Sequence, residues 1–227
     1  MKRSQGTGLA SIILITSCLN GSGFPGEPLK QESGSAITVL LFDYVPQATH
    51  DLPGARKRAS AVFQQAGVTL DWHDCVAEGL QATDDPACQQ VVSPEKIQVR
   101  IVDRFKSAPG VADRDSMGFA VGDMATVSFG KVEEFSLYAS RPRAEILGYA
   151  IAHEIGHVLL HRAHHSPVGI MRAYWSREDL ELAGVACMVF SQEEARVIRA
   201  DSRARWRQVE AMRLAPSASA KLGIGTQ

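Results

Sequence analysis

Two histidines four residues apart, with a glutamate directly after the first, constrain this chain more than any other feature. The segment Ala152-His153-Glu154-Ile155-Gly156-His157 ends an apolar stretch, and His161, His164 and His165 follow it. Ile146, Ala150, His153 and His157 share one stripe at helical spacing, and Leu147, Ile151 and Val158 share a neighbouring one. That periodicity predicts a largely buried helix from about Pro142 to Leu160. Residues i and i+4 lie on one helix face, so His153 and His157 can offer imidazole nitrogens to one Zn²⁺ while Glu154 stands beside a water held there. The plainer alternative is a buried helix whose histidines only satisfy hydrogen bonds. The motif, the helix and the downstream histidines together favour the metal.

Two imidazoles leave such an ion short of ligands, and a catalytic site needs a third protein ligand plus an open position. His161 continues the stripe, but eight residues of helix rise about 12 Å, too far for convergence on one ion with bonds of about 2 Å. Pro167 biases Ser166 away from helical angles, so the helix is over by then and the chain turns. His164 and His165 both lie on that turning segment and both qualify. A rival scheme takes a carboxylate from Glu178, Asp179 or Glu181, although Ser176-Arg177-Glu178-Asp179 also reads as an ordinary helix start with Ser176 as N-cap.

His153-Glu154-Ile155-Gly156-His157, followed by His164-His165-Ser166-Pro167-Val168-Gly169-Ile170-Met171, resembles the metzincin clan of zinc metalloproteases. The likeness extends to bacterial secreted proteins with a His-Ser-Pro-x-Gly-Ile-Met arrangement after the helix. It implies zinc held by His153, His157 and His165, with His164 as the alternative third ligand, and Glu154 as general base. Met171 looks like the Met-turn residue, with Gly169 giving flexibility just before it, and Tyr174 resembles a transition-state hydrogen-bond donor. The chain departs from the clan at Leu160, where a glycine is usual, and at Ala163, where the third histidine usually stands. The implied fold is α+β and metzincin-like: a twisted mixed β-sheet, then the active-site helix and C-terminal helices. The edge strand near Phe119 becomes a candidate for pairing with an extended substrate.

The local patterns give a β-α-β-β-β-β-α order followed by helices. Ile37 to Tyr44 reads as an apolar strand, and Ala55, Ala59, Val62, Phe63 and Ala66 as one helix face ended by Gly67. Val68, Leu70 and Trp72 alternate, as do Ile97, Val99 and Ile101. Phe119–Val121 and Ala125–Phe129 form a shorter strand pair turning at Gly122-Asp123. Ser191 and Glu194 make a capping-box pair opening a last helix, with Ala195, Ile198, Trp206, Val209 and Met212 inward. Its arginines, from Arg196 to Arg207, read as a solvated face. Interspersed acids and a net charge of −1 exclude a nucleic-acid partner.

Lys2 and Arg3 precede the apolar run Leu9 to Leu19, too short for a bilayer core of about 30 Å but suited to an export signal. Residues 1–19 are therefore expected to be a leader, 20–35 a Gly/Ser/Pro-rich linker, 36–213 one metalloprotease domain, and 214–227 a disordered tail. Ile15-Thr16-Ser17-Cys18 resembles a lipobox, which would make lipid on Cys18 the one route to membrane attachment; a conventionally cleaved leader is the alternative. Export to the cell envelope or beyond suits a disulfide between Cys75 and Cys88, closing about 14 residues for about 3 kcal/mol, and leaves Cys187 as a buried thiol. The expected function is hydrolysis of peptide or protein substrates by zinc and a water activated by Glu154. A non-catalytic, zinc-stabilised envelope binding module that keeps the same site is the competing class.

Overall fold

The computed structural model describes residues 36–75, 84–90, 92–105, 116–181 and 188–215. The leader, Cys18, the linker, Cys187 and the stretch beyond residue 215 lie outside them. Five strands form one sheet: β1 (Ala36–Asp43), β2 (Thr69–Cys75), β3 (Lys96–Val102), β4 (Gly118–Val121) and β5 (Met124–Ser128). Their order is β2-β1-β3-β5-β4, parallel throughout except for the β4–β5 hairpin. The sheet is thus mixed but mostly parallel, with β4 at its edge.

Alternation within β1 serves two faces at once. Ile37, Val39 and Leu41 belong to the main core, while Leu40 packs on the opposite face with Cys75 and Cys88. A strand covered on both sides loses the polar alternation of a one-sided sheet, which is why Val39-Leu40-Leu41 is a continuous apolar run. Cys75 and Cys88 are joined by a disulfide with Cα atoms 5.5 Å apart, fastening the short helix α2 (Pro86–Gln89) beneath β2.

Helix α1 (Leu52–Gln65) crosses from β1 to β2 on the main-core face and packs against α4 (Arg143–Leu160). Along α4, every residue from Ile146 to Leu160 is buried except His157, which is half-buried. A helix apolar on nearly all sides fits only between other elements. It lies against α1, β5, α3 (Phe129–Ala139) and α6 (Gln192–Leu214), so the motif it carries is rigidly held.

Helix α3 is absent from the strand-and-helix order read from the sequence. Its signals are nonetheless present: Ser128 Oγ accepts a hydrogen bond from Lys131 N as N-cap, and Phe129, Val132, Ser136 and Ala139 form the buried face. Phe129 belongs to this helix, not to β5. Helix α6 opens with the expected capping box, but its inward face differs from expectation. Met212 is 64 % exposed, and Trp206 is half-buried with its Nε1 donating to Ala36 O at 2.5 Å. Nor are all its arginines solvated. Arg205 is buried and donates to Asp201, Asp123 and the Pro94 carbonyl at 2.6, 2.8 and 2.9 Å, and Arg199 donates to Ala66 O at 2.7 Å. Five donors on one planar group let an arginine tie a helix to two distant loops, a use that charge patterning alone does not reveal.

Candidate metal centre

Helix α4 places His153 and His157 one turn apart, and His161 ends it. His161 takes a left-handed conformation at φ 50°, and its Nε2 lies 2.6 Å from Asp201 Oδ1, turned away from the other two. The chain then reverses and returns His165 to the open side of the pair. One ligand atom each from His153, His157 and His165 lie within 4.8 Å of one another, a group able to hold a metal ion such as Zn²⁺. His164, Glu178 and Glu181 are exposed and outside this group, and the half-buried Asp179 is outside it too. Asp179 instead pairs with Arg172 and exchanges hydrogen bonds with Ser176 at the start of α5 (Arg177–Glu181), while Glu181 pairs with Arg177 at 3.2 Å.

The tautomers follow from the backbone around the rings. His153 Nδ1–H donates to the Ile170 carbonyl and His157 Nδ1–H to the Arg162 carbonyl, both at 2.8 Å. With both protons on Nδ1, the two Nε2 atoms 3.0 Å apart present only lone pairs to each other. Two facing lone pairs repel, and a cation between them converts the repulsion into ligation. Fixing the imidazole through its second nitrogen is also how metal-binding histidines are oriented. Burial pushes the pKa of His153 down to about 3 and lowers those of His157 and His165, so the neutral, ligating form prevails.

Glu154 lines the same cleft as the three histidines, on the neighbouring face of α4 and against Gly118 of the edge strand. It is 4 % exposed, its Oε2 is buried without a hydrogen-bond partner among the described residues, and burial pushes its pKa up to about 8. An orphaned carboxylate oxygen in a dry site is costly unless a ligand, a water or a cation completes it. The space it occupies depends on Gly118 of β4. A Cβ there would come within 2.6 Å of Glu154 Oε1 and 2.7 Å of the Thr126 carbonyl, so no larger residue fits between the strand and the carboxylate.

Met171 is fully buried beneath α4, and its backbone carbonyl accepts from Ser166 N at 2.7 Å. A Cβ on Gly156 would meet Met171 Sδ at 2.7 Å and Phe190 Cε1 at 2.8 Å. Gly156→Ala gains helix propensity but overpacks this contact, so a net destabilisation of about 1–3 kcal/mol is expected. Urea unfolding measures it, and an unchanged or raised midpoint would contradict the close packing. Gly169 sits at φ 75° with the Val189 carbonyl 2.5 Å from where its Cβ would be, so it serves close backbone approach in a fixed turn.

His153, Glu154, His157 and His165 open onto a cleft of about 610 Å³. Its walls include Gly118, Phe119 and Ala120 of the edge strand, Phe135 and Tyr138 of α3, and Tyr174 and Trp175 after the turn. Trp175 is anchored by its Nε1, which donates to Ile170 O at 3.1 Å, while Tyr174 is 72 % exposed at the mouth. The α3 contribution was missed from sequence because that helix was missed. The Ile170 and Arg162 carbonyls could not have been found, since every residue has a carbonyl and only the fold aims it.

No protein-family model and no curated protein matches this sequence. Among solved structures the chain is similar to an archaemetzincin from Methanopyrus kandleri, at 15 % identity and a TM-score of 0.46 over 74 % of this chain and 97 % of that one. It is also similar to a zinc-dependent peptidase from Methanocorpusculum labreanum, at 15 % identity and 0.46 over 71 % and 99 %.

Proposed function

We propose that this protein is an exported, metzincin-like zinc metalloendopeptidase, with His153, His157 and His165 as metal ligands and Glu154 as general base. The observation that carries the reading is the convergence of Nε2 lone pairs, each imidazole of α4 oriented through Nδ1, beside a buried carboxylate oxygen with no hydrogen-bond partner among the described residues. A structural metal site needs the imidazoles but not that carboxylate. When bound, zinc supplies Lewis acidity toward a water and a scissile carbonyl.

The chain's own residues account for the remainder of the reaction. Glu154 takes the proton from the attacking water and returns it to the leaving amine. The outer edge of β4, the last strand of the sheet among the described residues, pairs with an extended stretch of substrate and holds its backbone across the cleft. Tyr174 at the cleft mouth swings in to donate a hydrogen bond to the developing oxyanion. Met171 packs under the ligand helix and fixes the turn that returns His165.

Metal analysis and peptide cleavage on the same purified protein test this reading. One zinc per chain, cleavage of a mixed peptide library, loss of cleavage with a chelator and its return with zinc are expected. Bound zinc with no cleavage of any peptide would instead favour the binding-module reading.

A further inference from the structure

We infer that Glu194, the third residue of α6, is a positioning residue of the metal centre, because one of its carboxylate oxygens holds both Arg162 and Ser166, the residues that bracket the His165 segment. This rests on the proposed metal-binding role of that segment. Glu194 Oε1 accepts from Arg162 Nη2 and from Ser166 Oγ, and Arg162 Nη2 also lies 3.0 Å from Ser166 Oγ, closing a three-membered ring of contacts. The two tethered residues each have a second task in the site. Arg162 presents the carbonyl that orients His157, and Ser166 N donates to Met171 O, fixing the return of the turn. His165 lies between them, so its backbone is held at both ends by one side chain from a helix some thirty residues downstream.

Capping alone does not explain this glutamate. In the capping box, Glu194 Oε2 accepts from Ser191 N at 2.8 Å, and Ser191 Oγ accepts from Glu194 N at 3.3 Å. A glutamine serves that box equally well and needs no burial. Glu194 is nevertheless 2 % exposed, and a buried carboxylate is tolerated only where a cation and further hydrogen bonds compensate it. Arg162 is that cation. Its charge acts on both His157 and His165, where an uncompensated guanidinium would oppose a dication. Glu194 therefore has two effects on the centre: it fixes the third-ligand loop, and it neutralises a positive charge that acts on two of the proposed ligands.

The test measures zinc affinity of the whole protein against a chromophoric chelator, together with the visible ligand-field absorption of the Co²⁺-loaded form. Glu194→Gln keeps the box and removes the charge. It is expected to weaken zinc binding about 10- to 100-fold and to alter the Co²⁺ spectrum. Ser191→Ala, which breaks the same helix cap without touching the loop, should lower the unfolding midpoint and leave zinc affinity and spectrum unchanged. Adding Arg162→Met to Glu194→Gln should recover part of the lost affinity, because the uncompensated cation is gone. Should Glu194→Gln fail to fold, Ser166→Ala must show a smaller loss in the same direction. Wild-type affinity and spectrum in Glu194→Gln, or in Ser166→Ala as its substitute, would overturn the inference, as would an equal loss in Ser191→Ala. A wild-type protein that binds no zinc would remove the proposed function itself, and this inference with it.

Discussion

Glu154→Gln is expected to lower peptide hydrolysis by about 10²- to 10⁴-fold, the range for loss of a general base, while zinc content stays at the wild-type level. The amide keeps the shape that fits against Gly118 but cannot take a proton from the attacking water. Cleavage by the variant at the wild-type rate would remove Glu154 from the mechanism.

The same substitution carries a stability signature in the metal-free protein. Burial raises the Glu154 pKa from 4.5 to about 8, so the folded state prefers the protonated acid. Below the unfolded value both states are protonated and the carboxyl imposes no charge-burial penalty. As pH rises, the unfolded chain releases its proton first, and stability falls through the folded value near 8. Metal-free wild type should therefore lose a few kcal/mol between about pH 4.5 and 8 relative to metal-free Glu154→Gln. The lowered His153 pKa acts oppositely, costing stability as pH falls below the usual imidazole range, but it is common to both proteins and cancels in the comparison. Parallel thermal unfolding curves across this window would contradict the buried, unpartnered carboxylate; bound zinc should flatten the difference by favouring the ionised form.

The second large effect concerns the third ligand. His165→Ala is expected to weaken zinc binding far more than His164→Ala, because only His165 joins the group of converging ligand atoms. Losing one of the three proposed ligands leaves an incomplete set, and at micromolar protein His165→Ala should purify with little metal. Competition titrations of the two variants compare them directly, and the reverse order would move the ligand to His164. The exposed position of His164 also means that its replacement should leave folding untouched.

Much of this architecture is legible in the sequence, for reasons that are local. The i, i+4 spacing of His153 and His157 puts them on one helix face wherever a helix forms, and the apolar stripes of α4 ensure that it does. Alternating and continuous apolar runs marked the five strands, and the Ser191 and Glu194 pair marked the start of α6. Pairing Cys75 with Cys88 was legible because the two bracket a short loop. Helix α3 was missed since its apolar stripe begins inside what reads as a strand, and Phe129 fits both patterns. Met212 and Arg205 were misassigned because α6 outruns its packing partners at one end and meets two loops along its flank.

By itself the sequence determined that a buried helix would carry His153, Glu154 and His157 on adjoining faces, since helical geometry and apolar periodicity need only neighbours along the chain. Only the tertiary structure decided which later histidine returns to that helix. That choice rests on the left-handed turn at His161, the clamp of Glu194 on Arg162 and Ser166, and the carbonyls of Ile170 and Arg162 aimed at the two rings. Such contacts join residues far apart in sequence and use backbone groups common to every residue, so no local pattern can announce them.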